Sequence, residues 1–130
     1  MKKIFLYELN EVPYQVLDYY CQLKPDSTVN KVLQKSQQYS TFNDSVEELH
    51  PWATWPSLHR GVSDETHGIR HINQSVDDAD RRYPPIHEIL TQHGISVGVG
   101  GSLQTGLMTR DQMDSYRFFL PDTFAVSNQA

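Results

Sequence analysis

The chain has 130 residues, of which 38% are hydrophobic and 11% aromatic, and its formal net charge is -5. This composition is typical of one globular domain with a modest core and excludes a low-complexity or disordered chain. The acidic balance and the scatter of the basic residues argue against a nucleic-acid polymer as partner. No apolar run approaches a membrane span and no signal peptide is evident, so we expect no membrane partner and a cytoplasmic location.

The amino-terminal part of the chain alternates a strand pattern with helix patterns. Residues Ile4 to Leu9 predict a buried strand, and residues Pro13 to Leu23 predict a helix. Asp26 or Ser27 caps a second predicted helix. The only cysteine, Cys21, lies among apolar residues of the first helix, so we expect a buried and unreactive thiol.

The rest of the chain continues this alternation. The predicted elements, in chain order, are a strand over Gln38 to Asn43, a polar surface excursion from Ile69 to Tyr83, a helix over Pro84 to His93 that Gly94 ends, a strand over Ile95 to Val99, and a further strand over Tyr116 to Leu120. Such an order favours an α/β fold with helices layered on a mostly parallel sheet.

Thr54 is the candidate nucleophile. It stands in the segment Pro51-Trp-Ala-Thr-Trp-Pro-Ser57, and we expect Pro56 to begin a helix whose free N–H groups face the Thr54 hydroxyl. The positive end of that helix would favour an anionic phosphoryl or sulfuryl group. A simpler alternative is that Thr54 only caps a helix.

Oxygen donors follow the first predicted strand. Glu8, Asn10 and Glu11 would lie at its carboxyl end, which is where open α/β sheets bind ligands. Carboxylate and amide oxygens suit a divalent metal ion. The same residues are also ordinary turn residues, and Glu8 could be an exposed edge charge.

The order of these features resembles the amino-terminal part of the alkaline phosphatase superfamily, in particular its type I phosphodiesterase/nucleotide pyrophosphatase and sulfatase-like branches. The features are a strand with polar residues at its end, Thr54-Trp-Pro-Ser57, and Thr66-His-Gly-Ile69. A threonine cannot form the aldehyde that usual sulfatases need, so the resemblance implies a phosphodiesterase or phosphatase type of phosphoric-ester hydrolase.

The resemblance also implies a set of site residues. Thr54 would be the metal-bound nucleophile, and Ser57 would help to hold an oxygen of a small anionic phosphoester. Asn10 stands where the family has an aspartate ligand, so we expect Glu8 or Glu11 to supply the negative charge of the metal site. Two divalent ions, zinc first and manganese second, are the implied cofactors.

Domain organisation follows from the length. We expect residues 1–130 to be the amino-terminal segment of a single alkaline phosphatase-like catalytic domain, incomplete as a fold, with further metal ligands in later segments. The sequence predicts neither the substrate nor the oligomeric state.

Two rival functions remain open at this stage. Gly98-Val-Gly-Gly-Ser102 is a glycine-rich segment that, as a turn after a strand, would suit a nucleotide-binding module without catalysis. Glycines serve equally well in strand packing and tight turns. The second rival is a catalytically inactive relative, which asparagine at position 10 favours.

Histidines and tryptophans surround the predicted nucleophile. His67 and His71 have the spacing of a helical zinc pair, but Gly68 between them argues against a helix. The resemblance implies instead that His67 holds its loop by hydrogen bonds. His50 and His59 flank Thr54, with surface or packing roles favoured. Trp52 and Trp55 would either line a pocket or belong to the core.

Overall fold

The computed structural model describes residues 3–41, 50–106 and 110–122. The chain divides into two compact units, Met1–Asp44 and Ser45–Ala130. The described residues combine short α-helices with a small parallel sheet, which agrees with the predicted α/β class. Among these residues, no helix is both long enough and apolar enough to cross a membrane.

The first unit contains two of the predicted helices. Helix α1 spans Tyr14–Leu23, and its first turn begins at Pro13, whose carbonyl accepts the N–H groups of residues 16 and 17. Helix α2 spans Thr28–Lys35, and the Ser27 side chain caps it by accepting the Asn30 N–H at 3.2 Å. Both helix predictions are confirmed.

The expected strand at residues 4–9 is absent from the structure. The segment carries no strand assignment, and its apolar side chains lie in solvent, with Ile4 95% and Phe5 86% exposed. A strand needs a partner strand to satisfy its backbone, which the local pattern alone does not supply. The prediction of a strand over Gln38 to Asn43 is also wrong for residues 38–41, and residues 42–43 lie outside the described part.

Cys21 follows expectation. It is a free cysteine in α1, and only 8% of it is exposed. Its neighbours on α1 are largely exposed, so the thiol is the one buried side chain among the described residues of that helix. Free cysteine behaves here as a small apolar side chain.

The second unit contains the remaining described elements. They are α3 (Pro51–Arg60), α4 (Asp64–His67), α5 (Asp77–Arg82), α6 (Ile86–Gln92), β1 (Gly98–Ser102), α7 (Arg110–Asp114) and β2 (Phe118–Pro121). The two strands pair in parallel, with Gly98 opposite Phe118 and Gly100 opposite Leu120. Each strand begins two or three residues later than predicted, and the parallel pairing between them agrees with the expected sheet.

The glycines of β1 serve strand packing. A Cβ on Gly98 would lie 2.2 Å from the Phe118 ring, so any other residue there would require this ring to move. Gly101 has φ +69 at the register shift between Gly100 and Ser102. Gly98 to Ser102 is the strand itself and not a turn after a strand, so the strand-packing alternative describes these glycines.

A small apolar core forms where we expected only surface. Ile69, Val76 and Ala79 are buried together, and Ala79 belongs to α5. Helix α5 has aspartates in its first turn and arginines in its last turn, as the helix dipole favours. Most of the residues after Ile69 and up to Tyr83 are exposed, as expected of a surface excursion, but Val76 and Ala79 face inward and the stretch contains α5, which was not predicted.

Candidate functional site

Thr54 lies inside a helix and not in front of one. Helix α3 begins at Pro51 with His50 as its N-cap, so Pro51 occupies the first helical position that we assigned to Pro56. The Thr54 N–H already donates to the His50 carbonyl at 2.9 Å. The prediction that free helix N–H groups face Thr54 is therefore wrong.

The Thr54 hydroxyl is exposed and donates to the same His50 carbonyl at 2.6 Å. Such a bond from a hydroxyl to the carbonyl four residues earlier is common for threonine in helices. Pro56 lies two residues further and has no N–H, so the Trp52 carbonyl cannot receive the usual helical bond from residue 56. The turn that carries Thr54 therefore has one backbone hydrogen bond fewer than a regular helix.

Ser57 follows Thr54 by three residues and lies beside it on the surface of α3. Its Oγ is 2.9 Å from the Ala53 carbonyl oxygen, to which it donates, and 2.8 Å from Nε2 of His67. These contacts hold the partly buried Ser57 side chain from two directions. The structure thus places Thr54 and Ser57, the two predicted substrate-contacting residues, on one helix face.

His67 is the last residue of α4 and is buried. Its Nδ1 accepts the Ile69 N–H at 3.0 Å, and Gly68 takes φ +73 to make the turn between them. Because Nδ1 is an acceptor, the proton of the neutral ring is on Nε2, which donates to Ser57. The expectation that His67 holds its loop by hydrogen bonds is confirmed.

The neutral form of His67 is favoured by its surroundings. Burial lowers the pKa of His67 below 6.5, and the positive charge of Arg60 lowers it further, while Asp64 acts in the opposite direction. At neutral pH the ring is therefore uncharged. A neutral imidazole with a fixed tautomer is a dependable hydrogen-bond donor at one nitrogen and acceptor at the other.

The predicted metal ligands belong to the other unit. Glu8 is half-buried, whereas Asn10 and Glu11 are exposed, and Glu11 has φ 55, which is uncommon for a residue other than glycine. Thr54, by contrast, lies in the second unit. Within residues 3–41, 50–106 and 110–122, no three His, Cys, Asp or Glu side chains form a group that could hold a metal ion.

The sequence did not reveal a buried polar cluster under α3. Arg60, with 1% of its side chain exposed, forms an ion pair with Asp80 of α5. His87 of α6 is also buried, and its Nδ1 lies 2.9 Å from the Tyr116 hydroxyl. Burial, with smaller effects from His59 and Arg60, lowers the pKa of His87 to about 4. Only the packing of helices distant in sequence creates this cluster, so no local signal could have found it.

The aromatic residues near Thr54 have packing roles. The His50 and Trp52 rings stack with centroids 4.7 Å apart, and Trp52 Nε1 donates to the Arg70 carbonyl at 3.0 Å. Trp55 stacks on the buried His59 at 6.1 Å. The favoured packing role of His59 is thereby confirmed, and His50, which is exposed, forms the outer layer of its stack.

No protein-family model, curated protein or solved structure matches this chain. The assignment of chemistry therefore depends on the chain's own residues. Two of these are the exposed hydroxyl of Thr54 and the neighbouring hydroxyl of Ser57, which His67 holds in place.

Proposed function

We propose that this chain carries the nucleophile of a metal-dependent phosphoric-ester hydrolase of the phosphodiesterase or phosphatase type. The observation that supports this most is the exposed Thr54 hydroxyl on the same helix face as Ser57, whose position the contact with His67 fixes. One hydroxyl would react, and the other would hold an oxygen of the substrate. A small anionic phosphoester is the proposed substrate class.

The proposed reaction has two displacements at phosphorus. Thr54 Oγ1 forms a bond to phosphorus as the bond to the alcohol leaving group breaks, and water then cleaves the phosphothreonine to release phosphate or its monoester. The Thr54 proton currently points to the His50 carbonyl, which is too weakly basic to take it. Activation therefore requires that the hydroxyl leave this hydrogen bond and lose its proton to another group.

The resemblance to the alkaline phosphatase superfamily assigns that activation to divalent ions, zinc or manganese. Its implied donors are Glu8, Asn10, Glu11 and Thr54. The donor types suit such ions, and among the described residues no three His, Cys, Asp or Glu side chains form a group that could hold a metal ion. We therefore keep the ions as proposed cofactors and derive no step through them.

The remaining parts of the proposal concern the whole protein. A layered α/β/α catalytic domain, to which residues 1–130 contribute the amino-terminal segment, would supply further strands and ligands. The described parallel pair of β1 and β2 is compatible with such a sheet. A cytoplasmic location fits a small phosphoester as substrate and remains part of the proposal.

Turnover of bis-p-nitrophenyl phosphate and of the p-nitrophenyl monoester tests the function directly. Each ester is assayed with zinc and with manganese, for the wild type and for Thr54→Ala. We expect metal-dependent turnover that falls at least about a thousandfold in the variant, because loss of a nucleophile removes the covalent route. Thr28→Ala, which removes another exposed helical threonine, is the matched control.

Mass spectrometry provides a second test of the proposed covalent step. A phosphoryl group trapped on the Thr54 peptide after acid quenching would support the covalent step. If the wild type shows no turnover and no phosphorylated peptide with either metal, the catalytic proposal is refuted for this chain. The inactive relative or the nucleotide-binding module would then be the better description, and nucleotide binding without metal would favour the module.

A further inference from the structure

A chain of three hydrogen bonds connects a backbone amide to the Ser57 hydroxyl. The Ile69 N–H donates to His67 Nδ1 at 3.0 Å, and His67 Nε2–H donates to Ser57 Oγ at 2.8 Å. The Ser57 O–H then donates to the Ala53 carbonyl at 2.9 Å. In this series of hydrogen bonds each group donates to the next one, from the Ile69 amide towards α3.

The bond from the Ser57 hydroxyl to the Ala53 carbonyl can break without leaving that carbonyl unpaired. In an α-helix the Ala53 carbonyl also accepts the backbone N–H of Ser57, so it keeps a partner when the hydroxyl rotates away. The bond from His67 is different, because Ser57 Oγ accepts it and keeps it whenever its own proton points away from His67. Rotation about the Cβ–Oγ bond therefore redirects the donor without moving the oxygen.

Donation from His67 also changes the strength of the Ser57 hydroxyl as a donor. A hydroxyl that accepts a hydrogen bond becomes a better donor, because the bonds of a chain polarise one another. A bond to an anionic phosphoryl oxygen is stronger than the bond to a neutral carbonyl that it replaces. Both effects favour transfer of the Ser57 proton from Ala53 to a bound anion.

We propose that His67 is a positioning residue that fixes Ser57 Oγ and strengthens it as a donor to a nonbridging oxygen of the phosphoryl group. This inference rests on the proposed function, because it names the group that Ser57 holds. His67 does not touch the substrate and neither gives nor takes a proton. Its contribution depends on the neutral tautomer with the proton on Nε2, which the Ile69 N–H imposes.

The tautomer of His67 can be measured without any turnover. Two-dimensional NMR that correlates the ring protons with both ring nitrogens of the full-length protein distinguishes the three protonation patterns. At neutral pH we expect a protonated Nε2 and an unprotonated Nδ1. A ring protonated on Nδ1, or on both nitrogens, would overturn the inference whatever the enzyme does.

Calorimetric titration with inorganic phosphate, in the presence of zinc, tests the effect on an anion. His67→Leu removes both hydrogen bonds, whereas His67→Gln keeps an N–H that reaches towards Ser57. We expect Ser57→Ala and His67→Leu each to weaken phosphate binding about tenfold, as loss of one hydrogen bond to a charged group implies. His67→Gln should recover part of the loss, and the double variant should lose no more than either single one.

Unchanged phosphate affinity in His67→Leu or in Ser57→Ala, or no phosphate binding by the wild type, overturns the inference. Far-ultraviolet circular dichroism of each variant checks that the fold is kept, and His67→Gln provides the test if His67→Leu does not fold. The proposed function is judged separately by the Thr54→Ala assays. Where turnover occurs, kcat/KM should fall about tenfold in His67→Leu, in step with the loss of phosphate affinity, because the same nonbridging oxygen is held in both cases.

Discussion

Replacing His87 with phenylalanine should remove much of the acid sensitivity of the second unit. His87 lies in α6 between Tyr116 and Phe119, with ring centroids 5.8 and 6.2 Å away. Its Nε2 is buried and has no hydrogen-bond partner among the described residues. A charged ring at this position would face Arg60 and His59, both of which disfavour a second positive charge.

The size of the effect follows from the pKa of His87. Folding lowers that pKa from 6.5 to about 4, so the unfolded chain binds the proton more readily than the folded chain. Stability is therefore full above pH 6.5 and falls as the pH drops towards 4. Each unit of difference between the two pKa values corresponds to about 1.4 kcal/mol of the free energy of unfolding. The total loss of this free energy is therefore about 3 kcal/mol, of which about 2 kcal/mol occurs between pH 7 and pH 5.

Urea unfolding of the full chain at pH 7, 6 and 5, followed by tryptophan fluorescence, measures this loss. At pH 7 His87→Phe should be less stable by about 1 kcal/mol, because the bond to the Tyr116 hydroxyl is lost. At pH 5 the variant should be the more stable protein. The raised pKa values of Asp80 and Glu88, which burial causes, act in the opposite sense and are common to both proteins.

The matched control is His93→Phe, which removes an exposed histidine at the end of the same helix. If His87→Phe and the wild type lose the same free energy of unfolding between pH 7 and pH 5, the account of a buried neutral imidazole is refuted. A crossing of the two stability curves would support it.

Two further predictions concern the ends of helices. Ser27→Ala removes the cap of α2 and should lower the protection of α2 amides against hydrogen exchange by about 1 kcal/mol. Ser36→Ala, a change beyond the other end of α2, should lower this protection less. Equal losses in the two variants would contradict the capping role of Ser27. Gly61→Ala places a side chain at φ +67 with no atom within 4 Å of its Cβ, so urea unfolding should show a loss of about 1 kcal/mol from backbone strain alone. Gly61→Asn should lose less, because asparagine tolerates this conformation, and a smaller loss for alanine would refute the argument.

Helices α1, α2 and α6 were predictable because their signals are local. Ser27 caps α2 through a contact three residues away, and Gly94, with φ +72, follows the end of α6 as expected. The strands were less predictable, because a strand forms only with a partner elsewhere in the chain. Residues 4–9 have a strand-like sequence but no strand in the structure, and β1 begins at Gly98, where the Phe118 ring of the partner strand occupies the space of a side chain.

The candidate site was predictable in part. The hydrogen bonds of His67 were expected from the resemblance, whereas Thr54 was expected in front of the helix that carries Ser57 and lies inside it. The start of α3 was placed wrongly because Pro51 and Pro56 are equally suited to a first turn, and only the structure shows which one begins the helix. The burial of His87 depends on how α6 and β2 pack, which no local pattern encodes.

The extended segment before α1 has a consequence for the behaviour of the protein in solution. Ile4, Phe5, Leu6 and Tyr7 form a run of apolar, β-prone side chains, each at least 66% exposed. Such a run is a template for intermolecular β-pairing, and the neighbouring charges of Lys3 and Glu8 act as gatekeepers against it. Concentrated samples of this chain would therefore self-associate through its first residues, and replacement of Lys3 or Glu8 by a neutral residue would lower the concentration at which aggregates form.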